Sequence, residues 1–162
     1  MGLHGQGFTR LVKMMDHVAG KINDPVIIQR GHTNYMPQNA SSFSFKDNRD
    51  IEELYRSADI VVTHGGVGSI MDALVHGKPV IVVPRLSKLG EHKNDHQLDI
   101  ATTFSKLGFI LAVYNETELD TAIHAIKSGT VRLRSYDFGP ERKRLTAHID
   151  LYLRNLQSTK YQ

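Results

Sequence analysis

An α/β domain of three layers, with a mostly parallel sheet between two layers of helices, is what this sequence predicts. Short apolar runs rich in β-branched residues, such as Val80-Ile81-Val82-Val83, alternate along the chain with stretches of helical period. The runs are continuously apolar, which is the pattern of strands covered on both faces. The chain has 162 residues, 40% apolar and 23% charged, so it can bury a core and suits one domain spanning 1–162. No repeat, low-complexity stretch or Pro/Gly/Ser linker divides it.

Phe8, Leu11, Val12, Met15 and Val18 fall near helical spacing and predict the first helix. Pro25 opens Val26-Ile27-Ile28-Gln29, a strand closed by Gly31, and Ser42-Phe43-Ser44-Phe45 reads as another. Asn48 or Asp50 caps a helix through Ile51, Leu54 and Tyr55. Asp59 to Thr63 forms a strand, His64 to Ser69 a glycine-rich turn, and Ile70 to His76 a helix stopped by Gly77. Pro79 to Val83 is the next strand, residues 85–93 a polar loop, and Asp95 to Leu107 a helix ended by Gly108. Phe109 to Val113 is a strand, Glu116 to Lys127 a helix, and a basic helix at about 140–157 closes the chain. A domain of this kind normally opens on a strand, yet Met1-Gly2-Leu3-His4-Gly5-Gln6-Gly7 leads straight into a turn and helix. The sequence is therefore expected to begin downstream of that strand.

The absence of cysteine excludes a disulfide scaffold, a thiolate zinc site and a cysteine nucleophile, and fits a reducing compartment. No apolar run approaches the roughly 18 residues of a membrane-spanning helix, and no signal-peptide stretch follows Met1. A cytoplasmic location is expected. The net charge of +3 is uneven: residues 1–130 carry 13 bases against 14 acids, whereas residues 131–162 carry seven against three. Such a tail meets an acidic partner or an anionic membrane face, or is a solvated helix face. It lacks the interleaved aromatics of a stacking platform, so no nucleic-acid partner is expected.

The chemistry is concentrated after residue 63. A strand, a turn with three glycines and a helix let backbone N–H groups approach a ligand at a helix end whose dipole favours anions. The turn is neither a Walker A loop, since no Gly-Lys-Ser/Thr follows, nor a G-x-G-x-x-G dinucleotide fingerprint. His64 reads as a phosphate donor or as a turn histidine with a local partner, and Ser69 as a ligand contact or a helix cap. Asp72 lies one turn into the helix, placed for ribose hydroxyls. A second polar cluster, Gly90-Glu91-His92-Lys93-Asn94-Asp95-His96-Gln97, follows the next strand. Ligands of parallel sheets bind at the carboxyl ends of the strands, so the two loops are expected to form one site.

The segments His64-Gly65-Gly66-Val67-Gly68-Ser69-Ile70-Met71-Asp72, Gly77-Lys78-Pro79, Val83-Pro84-Arg85 and Asn94-Asp95-His96-Gln97 together resemble the donor-binding half of glycosyltransferase family 28. The likeness runs from Gly2 to about residue 125 and is strongest to short catalytic subunits of two-part enzymes. These serve dolichol-linked N-acetylglucosaminyl transfer and bacterial exopolysaccharide or capsule synthesis, and the loop from Pro84 to Gln97 points to the bacterial branch. The resemblance implies a Rossmann-like domain, one half of a GT-B glycosyltransferase. It implies that His64, Gly65, Gly66, Val67, Gly68 and Ser69 hold the diphosphate of a UDP-sugar and that Asp72 takes the ribose. His92, Asp95, His96 and Gln97 would lie around the sugar, and Gly2, Leu3 and His4 would line the same cleft. Many relatives carry Glu where Asp72 stands.

Such enzymes invert the anomeric centre as an acceptor hydroxyl displaces UDP. Donors at Gly65 to Ser69, with His64, would stabilise the charge developing on the diphosphate. No Asp-x-Asp motif is present, so no essential metal or cofactor is expected beyond the donor substrate. The acceptor's proton needs a base, for which His4 and His92 are the nearby candidates. In the family that base and the acceptor site belong to a second domain. The resemblance thus implies a membrane-anchored partner subunit, a lipid-linked acceptor and peripheral association with the inner membrane face. A sheet lacking one element can also pair with a second copy as a homodimer. The rival readings are a non-catalytic or truncated nucleotide-sugar-binding module and, less fitting for this chain length, a UDP-sugar epimerase.

Overall fold

A computed structural model describes residues 7–115 and 117–135, and within them strands and helices alternate as expected. The order is α1 (Thr9–Ala19), β1 (Ile27–Gln29), β2 (Ser41–Phe43), α2 (Asn48–Ser57), β3 (Val61–Thr63) and α3 (Val67–Val75). Then follow β4 (Val80–Val82), a 3₁₀ turn at Ser87–Leu89, α4 (His96–Lys106), β5 (Leu111–Ala112) and α5 (Glu118–Lys127). The basic helix expected at about 140–157 lies outside the described residues, as do Gly2 and His4.

Every strand pairing is parallel. The sheet is nevertheless in two pieces, β1-β2 and β3-β4-β5, where a single sheet was expected. Among the described residues no strand joins the outer edge of β1 to that of β3. Within the larger piece β4 is central, with Val80, Ile81, Val82 and Val83 each at 0% exposure. Its side chains alternate between two cores. Val80 and Val82 pack with Ile70, Leu74, Ile100 and Phe104 from α3 and α4, whereas Ile81 and Val83 pack with Met14, Val18, Leu119 and Ile123 from α1 and α5. This is the three-layer arrangement, and it explains why the run is apolar without alternation. Burial of each such side chain is worth about 1.5–3 kcal/mol, so β4 ties both helical layers together.

Glycine ends the two helices that lead into the central strands. Gly77 (φ +67°) and Gly108 (φ +79°) take the left-handed conformation that an L side chain resists. The following amides close each helix backwards, Lys78 N donating to the Ala73 carbonyl and Phe109 N to that of Phe104, both at 3.1 Å. Some boundaries differ from expectation. Asp47, not Asn48 or Asp50, caps α2, accepting from Asp50 N at 2.9 Å. The strand expected over 109–113 pairs only at Leu111–Ala112, although Phe109, Ile110 and Val113 are all buried.

A buried carboxylate holds the connection between β1 and β2 onto α1. Asp16, 3% exposed, accepts from Tyr35 Oη at 2.6 Å, Gln38 N at 2.9 Å and Asn39 N at 2.7 Å. Burial opposes its ionisation, but the bonds from Tyr35, Asn39 and Gln38 outweigh that cost and hold its pKa below the ordinary 3.8. A depressed carboxyl pKa stabilises the fold above the ordinary value, and that contribution is lost as pH falls through the lowered one. Asp16→Asn is expected to cost about 1.5–3 kcal/mol at neutral pH in urea unfolding, as loss of charge-assisted hydrogen bonds does. It should also flatten the loss of stability that the native chain shows below pH 3.8.

Candidate functional site

The site is built on the connection from β3 to α3. Thr63 ends the strand, His64 and Gly65 turn the chain, and Gly66 is the N-cap of α3 with extended backbone (φ −78°, ψ 126°). No side chain caps this helix and its first turn holds no acidic residue. The amides of Val67, Gly68 and Ser69 are first-turn donors with no carbonyl one turn earlier, and the positive end of the helix dipole is uncompensated. The helix starts earlier than the expected Ile70, which places Ser69 inside the first turn. The cap reading of Ser69 is thereby overturned, since Gly66 holds that position.

Each glycine answers a different demand. A side chain at Gly65 would meet the Gln97 carbonyl oxygen at 2.6 Å, so this turn packs directly on the start of α4. At Gly66 a Cβ would strike the His64 ring, with Cε1 at 2.3 Å. Gly68 is different: it is exposed and a Cβ there would meet nothing within 4 Å. Glycine in a helix costs about 1 kcal/mol against alanine, and no packing at this position accounts for it. What Gly68 leaves is bare backbone at the mouth of the helix, the condition for close approach of a ligand.

His64 is fixed in one protonation form. Its Nδ1 accepts from Gly66 N at 2.8 Å, which in a neutral ring leaves the proton on Nε2. Burial, together with the positive charge of Arg85 and the nearby His92, pushes the pKa down to about 4. Near neutral pH the side chain is an uncharged N–H donor beside the α3 amides. The local-partner reading thus describes Nδ1, and Nε2–H is left as the donor of the ring.

The second loop folds over Phe8, at the start of α1. Arg10 and Arg85 lie over the Phe8 ring, at 5.2 and 4.8 Å from its centre. Arg10 grips Glu91 through two bonds, Nε to Oε1 at 2.7 Å and Nη2 to Oε2 at 2.8 Å, and both side chains are 12% exposed. Glu91 Oε2 also accepts from Leu86 N at 3.0 Å. Asp95 Oδ1 accepts from Ser87 N at 2.9 Å, and Gln97, 8% exposed, accepts from Arg85 N at 3.2 Å. His92 Nδ1 lies 3.0 Å from Asn94 Oδ1, which also receives His96 N at 3.3 Å. Asp95 and Gln97 thus hold the loop shape.

Arg85 and His92 both lie close enough to His64 to act on its ring, beside the amino end of α3. Asp72 lies on the same face of α3 as Gly68, one turn on, and is exposed. Its charge reaches Tyr55, whose pKa is raised first by burial and then by Asp72. Amide donors at the helix mouth, the Arg85 guanidinium near them and one carboxylate a turn away suit an anion joined to a polyol. The pairing of Arg10 with Glu91 escaped the reading of the sequence because it joins positions 81 residues apart, with no local signal.

Residues 4–137 match the model of the glycosyltransferase family 28 C-terminal domain. The chain belongs to this family. A UDP-N-acetylglucosamine transferase subunit, ALG13, from Candida albicans is 35% identical over 83 residues, covering 51% of this chain and 26% of that protein. The human protein of the same name is 33% identical over 92 residues, covering 52% of this chain and 8% of its own. A Phocaeicola vulgatus protein named for N-acetylglucosamine transfer to N-acetylmuramyl-(pentapeptide) pyrophosphoryl-undecaprenol is 30% identical over 78 residues, covering 48% of this chain and 21% of its own. The matches thus span 26% or less of the length of these relatives. Among solved structures, the kitacinnamycin glycotransferase superposes with TM-score 0.60 at 22% identity, over 79% of this chain and 33% of that one. MurG of Acinetobacter baumannii does so with TM-score 0.55 at 16% identity, over 79% and 40%. At such identities the likeness is one of fold, and it places the family member among halves of GT-B glycosyltransferases.

The protonation state of His64 is open to direct measurement. An NMR titration of its ring should show a midpoint near 4 and a proton on Nε2 throughout the neutral range. A midpoint near the ordinary 6.5 would contradict the described environment.

Proposed function

We propose that this chain binds the UDP moiety of a nucleotide sugar at the amino end of α3 and acts as the donor-binding subunit of an inverting glycosyltransferase. The single observation that carries the reading is the uncapped α3 terminus, with Gly68 left bare and Asp72 one turn beyond it. The diphosphate sits on the amides of Val67, Gly68 and Ser69, and His64 Nε2–H adds a fourth donor. Asp72 accepts from the ribose hydroxyls. The sugar projects toward the loop that carries His92, Asp95 and His96. N-acetylglucosamine is the favoured sugar, because it appears in the names of the relatives from all three organisms.

In the reaction an acceptor hydroxyl oxygen forms a bond to the anomeric carbon while the bond from that carbon to the diphosphate oxygen breaks. The electron pair of the broken bond stays on UDP, and the acceptor's proton passes to a base. Fixed N–H groups at the diphosphate bind the leaving group more strongly as its charge grows, which lowers the barrier instead of only tightening donor binding. A neutral His64 suits this role, being a donor at the diphosphate and, with a pKa of about 4, a weak base. The acceptor's base is assigned to the partner subunit that would hold the acceptor. That partner is membrane-anchored and presents a lipid-linked acceptor of glycan or polysaccharide synthesis. No helix among the described residues is long and apolar enough to cross a membrane. Two of the relatives are themselves named as subunits, which supports a two-part enzyme.

Calorimetry with UDP separates ligand binding from folding at Gly68. Gly68→Ala should hold or raise stability, by up to about 1 kcal/mol, because alanine favours the helix. The same change should weaken UDP binding about tenfold or more, since a methyl group would stand where the diphosphate approaches. Asp72→Asn should weaken UDP and uridine binding alike. Unchanged affinity in Gly68→Ala would overturn the reading. UDP binding without sugar transfer in the reconstituted two-subunit enzyme would instead make the chain a non-catalytic holding module.

A further inference from the structure

Arg85 is carried to the site by the sheet. Val83 N donates to the Thr63 carbonyl at 2.9 Å, so β3 and β4 end side by side. Arg85 comes two residues later, after the buried Pro84, and is half-buried. Gln97 ties it to the turn that opens α3. The Gln97 side-chain oxygen accepts from Arg85 N at 3.2 Å, and the Gln97 carbonyl oxygen is the atom that a side chain at Gly65 would strike at 2.6 Å. The charge of Arg85 also acts on the ring of His64. A cation therefore stands beside the outward amides of α3, on the side of the loop that follows β4.

The guanidinium is held in place before any ligand arrives. Its central carbon lies 4.8 Å from the centre of the Phe8 ring. Nη1 donates to the Glu91 carbonyl at 3.2 Å and to the Gly7 carbonyl at 3.4 Å. Glu91 is fixed in turn, since its carboxylate takes two bonds from Arg10 and one from Leu86 N. Burial pulls the pKa of Arg85 down and Glu91 pushes it up, and an arginine stays protonated across the physiological range. A desolvated, planar guanidinium meets phosphate oxygens through paired N–H donors, and its ordering cost falls on folding and not on binding.

Given the proposed donor site, on which this assignment rests, the part of a nucleotide that Arg85 meets can be named. With the ribose at Asp72, the diphosphate crosses the mouth of α3 and the sugar points to residues 92–96. Arg85 is bonded to Glu91, next to His92, and so lies at the sugar end of the diphosphate. We propose that the guanidinium of Arg85 holds the β-phosphate, the one that bears the sugar, and that Phe8 and Glu91 are its positioning residues. When the acceptor oxygen bonds to the anomeric carbon, the bond from that carbon to the β-phosphate oxygen breaks. Its electron pair stays on that oxygen, while the acceptor's proton passes to the partner's base. The added negative charge grows where a fixed cation stands, so Arg85 binds the departing UDP more tightly than the intact donor. Arg85 is thus a catalytic residue of the proposed transfer, and the residue that tells a diphosphate from a monophosphate.

Calorimetry on the full chain with UDP and with UMP tests the assignment. Arg85→Gln should weaken UDP about tenfold or more, the loss expected of a charge-assisted phosphate contact, and leave UMP within about twofold. Arg85→Lys should recover part of the difference, because it keeps the charge without the fork. Glu91→Gln should narrow the gap between UDP and UMP, whereas a merely structural role would weaken both alike. On the native chain, the side-chain ¹⁵N–¹H signals of Arg85 should shift with UDP and stay still with UMP, a result that needs no variant to fold. Unchanged UDP affinity in Arg85→Gln, or an equal loss for UDP and UMP, would overturn the role of Arg85 and leave the donor site standing. A native chain that binds neither nucleotide would overturn both.

Discussion

Three peptide N–H groups at the start of α3 have no acceptor within their helix, and among the described residues no side chain caps them. Asp47 solves the problem locally for α2, whereas α1, α4 and α5 share with α3 the lack of a side-chain cap bond. Here glycine occupies the cap and a second glycine the first turn, so the donors face outward at the end of a helix dipole. The neighbouring residues are consistent with keeping that end polar and positive. Among the described residues these donors have no protein partner, and an anion is the simplest partner that completes them.

The surroundings hold the donors in place. Gly65 lets the turn pack on Gln97, so the amino ends of α3 and α4 are brought together. Gln97 fastens the backbone of Arg85, and the pair of Arg10 with Glu91 fastens the same loop to α1. The layer of α1 and α5 thereby reaches the site from the far side of the sheet. Breaking one partner of a largely buried ion pair leaves an uncompensated charge, so this joint is sensitive to substitution although no ligand touches it. The mouth of α3 is thus shaped by residues dispersed over most of the described chain.

The layered fold was legible because β4 is apolar on both faces and because Gly77 and Gly108 mark where helices must stop. The turn at 64–69 was legible through its combination with Asp72 and the polar loop after the next strand, since a glycine turn alone is common in α/β domains. The role of His64 was only half legible, since its bond to Gly66 depends on a ring position that no spacing encodes. The tasks of Asp95 and Gln97 in fixing the loop were hidden for the same reason. That the sheet would lack an element was expected from the turn and helix that open the sequence, but which strand edges this would leave apart was not legible. Strand periodicity describes a strand's own faces and says nothing of which edges find neighbours.

The central claim is that the outward N–H groups of Val67, Gly68 and Ser69 are where the diphosphate of a nucleotide binds. Backbone ¹⁵N–¹H spectra recorded during a UDP titration test it most directly. The account predicts that these three amides shift together and saturate, accompanied by the side-chain Nε2–H of His64. Saturable shifts confined to another part of the fold, with these amides unmoved, would contradict it.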